Sequence, residues 1–190
     1  MLARAVLALA LLAASAQAQP VRDVAFEGRA QVGRFERPAR LHVGCYAPRG
    51  RINNLNIEFD LPDAIALAPV FDVIPFEGPD GAGAPSLLQA EAGDVKAEMR
   101  FHAGGWFGSR GGPASTFTFG RAFTPQDRGA LPRLQAVLQV LGTGAGRLTW
   151  TVQNGVRQEA PVVASFELAE EDGVRLRRQV QPCLERRAQP

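Results

Sequence analysis

The chain has 190 residues, of which 46% are hydrophobic and 21% charged, and its formal net charge is +2. These values are typical of a globular protein with a substantial core, and they exclude a disordered charged tail, a collagen-like repeat and a coiled coil. The 20 glycines and 14 prolines favour a turn-rich, mainly β fold, and the shortage of lysine (Lys96 alone) is typical of a GC-rich bacterial genome.

The first residues have the organisation of a secretory signal peptide over residues 1–18. Arg4 gives a positively charged start, residues 5–14 are an unbroken apolar run, and small residues follow. We therefore expect cleavage near Ala18-Gln19 and a single exported β-rich domain over residues 19–190, in the periplasm or secreted from the cell. The apolar run is about half the roughly 20 residues that span a bilayer, so no membrane span is expected in the mature chain.

The near-neutral charge also bears on partners. A nucleic-acid-binding protein needs a basic face that displaces counterions from phosphates, and this chain does not concentrate its arginines in that way. The densest arginine cluster follows three acidic residues at 170–172, an order that suits the dipole of a helix. No nucleic-acid partner is expected.

Alternation of apolar and polar residues, the pattern of β-strands with one buried face, runs through most of the chain. The apolar positions of the first five such segments are Val24 and Phe26; Leu41, Val43 and Cys45; Leu55, Ile57 and Phe59; Val95, Ala97, Met99 and Phe101; and Phe117 and Phe119. Two further runs, at 148–152 and 162–168, flank an Asn154-Gly155 pair, which is a strong hairpin signal. The pattern predicts an antiparallel β-sandwich or a curled sheet.

Residues 131–141 break this alternation. Leucines recur there at helical spacing, at positions 131, 134, 138 and 141, and Pro132 suits the first turn of a helix. We predict one amphipathic helix over about 131–141 that closes the sheet.

The C-terminal segment fits either a helix or a strand. Asp172-Gly173 suits the turn of a second hairpin, and Asp172 equally suits the cap of a helix that directs Leu176, Val180 and Leu184 inward. In both cases Pro182 is expected to end the element. The sequence leaves the choice open.

Cys45 and Cys183 are the only cysteines in the chain. Two cysteines in an oxidising compartment favour a disulfide, and this one would enclose a loop of 138 residues. His42 is three residues from Cys45, but residues three apart on a strand face opposite sides and cannot share an ion. Neither a metal site nor a cofactor is expected, because closed zinc sites need four clustered ligands.

Two glycine-rich segments, at 77–86 and 104–112, are predicted loops. The second holds Trp106, Phe107 and Arg110 among its glycines, and such residues are common anchors of interfaces. They are our candidate partner-binding residues, for a protein or, through the two aromatic rings, for a glycan. The segment does not match a phosphate-binding loop, because no Lys-Ser or Lys-Thr follows it.

The inventory for catalysis is thin. His102 could form a constellation with Ser109 and either Asp94 or Asp127, but the sequence contains no nucleophile elbow. Glu58 and Asp60 lie two apart on the polar side of a strand, which indicates a solvated face. No catalytic residue is predicted.

These observations favour an exported, non-catalytic binding or accessory protein that acts through protein–protein contacts in the bacterial cell envelope or outside the cell. The alternatives are a small periplasmic hydrolase that uses His102 and a carbohydrate-binding module that uses Trp106 and Phe107.

Overall fold

The computed structural model describes residues 22–46, 54–108, 112–124, 126–154 and 160–184. The predicted signal peptide lies outside them. The strands are β1 (Arg22–Val32), β2 (Phe35–Tyr46), β3 (Asn54–Leu61), β4 (Ala84–Ala92), β5 (Val95–Phe107), β6 (Phe117–Phe123), β7 (Gly146–Val152) and β8 (Val162–Leu168), and the α-helices are α1 (Leu131–Leu141) and α2 (Glu170–Leu184). The predicted mainly β class is confirmed.

The eight strands form a closed antiparallel barrel in the order β1-β2-β3-β6-β5-β4-β7-β8. β8 pairs with β1 as well as with β7, so the sheet returns to its first strand. The prediction of a sandwich or a curled sheet was wrong in this respect. Alternation along a strand indicates one buried face, which sandwiches and barrels share, whereas closure depends on pairing between strands far apart in sequence.

Two of the strand junctions are short. β5 pairs with β6 only between residues 104–107 and 117–120, and β1 pairs with β8 only between residues 29–32 and 162–165. The other junctions are paired over six or more residues of each strand. The barrel therefore consists of two four-stranded arcs, β1-β2-β3-β6 and β5-β4-β7-β8, joined by two short seams.

The inward-facing residues are mostly apolar and fill the barrel with aromatic rings. Phe59 lies near the middle, and its ring centroid is 4.9 Å from that of Trp150 and 5.3 Å from that of Phe119. All three side chains are fully buried. These side chains fill the lumen. Wider barrels, by contrast, leave a central space in which a small molecule can bind.

Both ends of the barrel are covered. Residues 62–83, which connect β3 to β4, bury Phe71 and Phe76 at one end, and Phe71 meets Phe119 of the core edge to face. α1 and α2 follow strands that finish at the opposite end, where α1 packs on β4, β5 and β7, and α2 packs on β1, β2 and β3. Gly173 lets the two helices touch, since a Cβ there would lie 2.3 Å from the Leu141 carbonyl oxygen.

The helix predicted at 131–141 is confirmed with those bounds. The C-terminal segment is also a helix, and Leu176 and Val180, one turn apart, are both buried. The Asp172 carboxylate accepts a hydrogen bond from the backbone N–H of Ala169, which satisfies a donor at the start of α2. The helix continues through Pro182, where we expected it to end.

Cys45 and Cys183 form the predicted disulfide, with their Cα atoms 5.8 Å apart. The bond joins the end of β2 to the last turn of α2. Cys45 faces the interior and His42 the outer wall, so the two residues point to opposite sides of β2 as predicted.

Strands extend into both predicted loops. β4 begins at Ala84, within the expected loop at 77–86, and β5 runs to Phe107, so residues 104–107 of the expected second loop belong to a strand. β7 and β8 are consecutive antiparallel strands, in agreement with the hairpin signal, and Gly155 of that signal lies outside the described residues.

Arg121 and Asp127 occupy the place where β5 and β6 diverge below their seam. Arg121 Nη1 donates to the carbonyl of His102 at 3.2 Å, and Arg121 Nη2 donates to Asp127 Oδ1 at 3.1 Å. Asp127 Oδ2 accepts from the backbone N–H of Thr124 at 2.8 Å and from its hydroxyl at 3.0 Å. These hydrogen bonds, the Thr124 backbone bond foremost, lower the pKa of Asp127 below its ordinary value.

Asp127→Asn is expected to lower the free energy of unfolding by about 1–2 kcal/mol near neutral pH. The amide oxygen still accepts from Thr124, but the charge that attracts Arg121 is lost. Because folding lowers the pKa of this carboxyl, its stabilisation is present above the unfolded-state value of about 3.9 and is lost as pH falls through the folded-state pKa. Urea unfolding should separate wild type from variant near neutral pH, and the difference should shrink as pH falls below the ordinary carboxyl pKa; a difference that does not change with pH would contradict this role.

Candidate interaction surface

Trp106 and Phe107 lie at the end of β5 on opposite faces of the strand. Trp106 points outward and is 39% exposed, and the tip of its indole rests on Gly120 of β6, where a Cβ would lie 2.7 Å from Trp106 Cη2. Phe107 turns toward the interior and meets the Phe117 ring edge to face, with centroids 5.1 Å apart. The two rings therefore do not form one surface. Arg110 lies outside the described residues.

A chain of buried polar groups crosses the outer wall beside Trp106. Thr118 is directly opposite Trp106 in the β5–β6 pairing, and its hydroxyl donates to Asp60 Oδ1 at 2.7 Å. The same hydroxyl oxygen is 3.0 Å from the carbonyl oxygen of Gly108. Asp60 Oδ2 is 3.3 Å from His42 Nε2, so side-chain contacts connect β6, β3 and β2.

The burial of these groups corrects one prediction. Glu58 and Asp60, which we expected on a solvated face, are each 8% exposed, and so is His42. His42 Nδ1 lies 3.9 Å from Asp23 Oδ2, which places the imidazole between carboxylates of β1 and β3. The sequence analysis missed this cluster because it depends on register: His42 is directly opposite Glu58 only once β2 and β3 are paired.

The cluster positions groups rather than exposing them for a reaction. Asp60 directs its two oxygens at Thr118 and His42, and all three side chains are largely shielded from solvent. The large apolar side chain exposed on this wall is the Trp106 indole. A large, partly exposed ring held against rigid backbone and framed by polar groups has the composition of a binding surface.

Within the described ranges, no side-chain hydrogen bond joins His102 to Asp94 or Asp127, the residues considered for a hydrolase, although Arg121 bonds both the His102 carbonyl and the Asp127 carboxylate. His102 is exposed on β5, and Asp94 lies in the β4–β5 turn, eight residues and therefore roughly 26 Å away along the strand. Asp127 directs its carboxylate at Thr124 and Arg121. Ser109 lies outside the described residues.

Across the described ranges, no group of three or more His, Cys, Asp and Glu side chains is arranged to hold a metal ion. Among the described residues, no helix has both the length and the apolar character needed to cross a membrane.

Comparison of the chain with protein-family models, curated proteins and solved structures gives no significant match.

Proposed function

We propose that this protein is an exported, non-catalytic binding or accessory protein that contacts another protein of the cell envelope or its surroundings through the outer wall of β5. The observation that carries the proposal is Trp106, a partly exposed indole seated on Gly120 of a fully paired stretch of sheet. Tryptophan is among the residues that most often dominate the energy of a protein interface.

Two other features support a surface-binding role. The barrel interior is filled by side chains and both ends are covered, so a ligand has its access on the outside. The polar chain from Thr118 to His42 fixes the wall next to Trp106, which reduces the conformational entropy that a partner must restrain on binding.

The compartment remains part of the proposal. A disulfide that ties the end of the chain to β2 is compatible with an oxidising, exported environment. The apolar run near the start of the sequence also supports export.

Trp106→Ala is expected to weaken partner capture by about tenfold or more while the protein stays folded. Because the Trp106 ring is partly exposed, its removal should affect the binding of a partner more than the packing of the core. Wild-type and variant proteins, immobilised separately, would be exposed to an envelope extract, and bound proteins quantified by mass spectrometry. The most enriched protein would then be purified and its affinity for each variant measured by calorimetry.

The matched control is Val174→Ala, which removes an exposed apolar side chain of α2 at the opposite end of the barrel. This variant should retain wild-type affinity. Equal affinities for wild type, Trp106→Ala and Val174→Ala would refute Trp106 as the contact.

A further inference from the structure

β5 pairs with one neighbouring strand along its first part and with the other along its last four residues. It pairs with β4 along residues 95–103 and with β6 along residues 104–107. Below residue 104 its second side therefore has no neighbouring strand. Residues 95–101 of β5 are therefore a partial strand edge at this seam, as residues 22–28 of β1 are at the β1–β8 seam.

The backbone direction along this edge follows from two contacts. The carbonyl of His102 faces Arg121 of β6, and the carbonyl of Gly105 faces the other way, toward the N–H of Gly78. Backbone groups of alternate residues point to the same side of a strand. The N–H and C=O groups of Lys96, Glu98 and Arg100 therefore point away from β4, at the open edge.

Within the described ranges, no backbone group pairs with the edge groups of Lys96, Glu98 and Arg100. α1 packs on β5, β4 and β7, but as a helix it does not continue the strand pairing of β5. Unpaired N–H and C=O groups in register are a template for one more strand. The side chains of the same three residues are exposed on the outer face.

The charges of the edge are self-complementary. The outward residues Asp94, Lys96, Glu98 and Arg100 alternate in sign. If two copies of β5 pair antiparallel about an axis beside Ala97, Lys96 of one copy lies opposite Glu98 of the other. Asp94 then lies opposite Arg100, and the two-fold symmetry repeats each attractive pair.

The inward face supports the same register. Val95 is 54% exposed although it begins a strand whose other inward residues are covered. In the antiparallel pairing about Ala97, Val95 of one copy lies opposite Met99 of the other, and the small Ala97 side chains meet at the axis. Pairing thus covers an exposed apolar residue and satisfies the edge backbone together.

We propose that this protein forms a symmetric dimer in which the β5 edges of two copies join in one continuous antiparallel sheet. Within one copy, Lys96 contacts Glu91 and Glu98 contacts Gln89. Both are exposed surface pairs that contribute little energy, so they are compatible with the dimer. The dimer is separate from the Trp106 contact, which lies above the edge on the outer wall.

The test uses charge reversal and mixing. Sedimentation equilibrium of the wild-type protein over about 1–100 μM should show a dimer. Lys96→Glu and Glu98→Lys each place like charges opposite one another twice in a homodimer, so each variant alone should dimerise about tenfold or more weakly. An equimolar mixture of the two variants restores opposite charges at both pairs and should dimerise like wild type, as should the double variant.

Hydrogen exchange gives an independent readout. The amides of Lys96, Glu98 and Arg100 should exchange fast in dilute protein and slowly in concentrated protein, whereas that of Met99, bonded toward β4, should be slow in both. Circular dichroism and urea midpoints verify that the variants fold. A monomer at every concentration, or a mixture no more dimeric than its components, would overturn the proposal. The Trp106→Ala capture experiment is unaffected by either result.

Discussion

Reduction of the Cys45–Cys183 disulfide is expected to lower the free energy of unfolding by about 3–5 kcal/mol. The bond closes a loop of 138 residues, and in the chain-entropy model a long loop restricts the unfolded chain most. It also holds the last turn of α2 against β2. Guanidinium unfolding with and without reductant, followed by circular dichroism, measures the difference directly.

The control is the double variant Cys45→Ala with Cys183→Ala. Its stability should match that of the reduced wild type, and reductant should leave it unchanged. A disulfide effect below about 1 kcal/mol would contradict the expectation and indicate that the reduced chain keeps residual structure when unfolded.

Phe119→Ala is expected to lower the free energy of unfolding by about 3–5 kcal/mol. Phe119 is fully buried on β6 and touches the rings of Phe59 and Phe117 in the barrel wall and of Phe71 and Phe76 in the segment over the barrel end. Its removal leaves a cavity where the wall and the covering segment meet. Urea unfolding quantifies the loss.

Two comparisons make this prediction specific. Phe119→Leu keeps most of the volume and should cost clearly less than the alanine variant. Phe107→Ala removes a ring that is only partly buried at the rim of the same cluster, so it too should cost less. Equal losses for Phe119→Ala and Phe107→Ala would show that the cluster does not couple the wall to the covering segment.

Local patterns predicted the elements of this fold well. The helix at 131–141 follows from leucine spacing alone, because the residues that define one face lie within a few turns. The disulfide follows from there being two cysteines in a chain whose start predicts export to an oxidising compartment. The C-terminal segment could not be assigned in advance, since what decides it is the burial of Leu176 and Val180 against the barrel end, a contact with residues far away in sequence.

Barrel closure was out of reach for a similar reason. β3 pairs with β6 rather than with β4, and β8 returns to β1, so the decisive pairings skip over intervening strands. Nothing within a single strand differs between a closed barrel and two facing sheets. The two four-residue seams close the sheet, so the predicted sandwich was wrong.

The candidate surface was predictable in part. The alternation through Val95 to Phe101, if continued to residue 107, places Trp106 outward and Phe107 inward, as the structure has them. The run of glycines instead suggested a loop. The buried His42–Asp60–Thr118 cluster needed the cross-strand register of three strands, which no local pattern contains.

The disulfide also determines how the molecule carries tension. A pull applied to the two ends of the chain passes from the first strand through Cys45 to Cys183, so the polypeptide between these cysteines bears no load. Only β1 and the part of β2 that precedes Cys45 can be drawn out. The six strands from β3 to β8, which carry Trp106 and include the strands on which α1 packs, lie inside the loop that the disulfide closes.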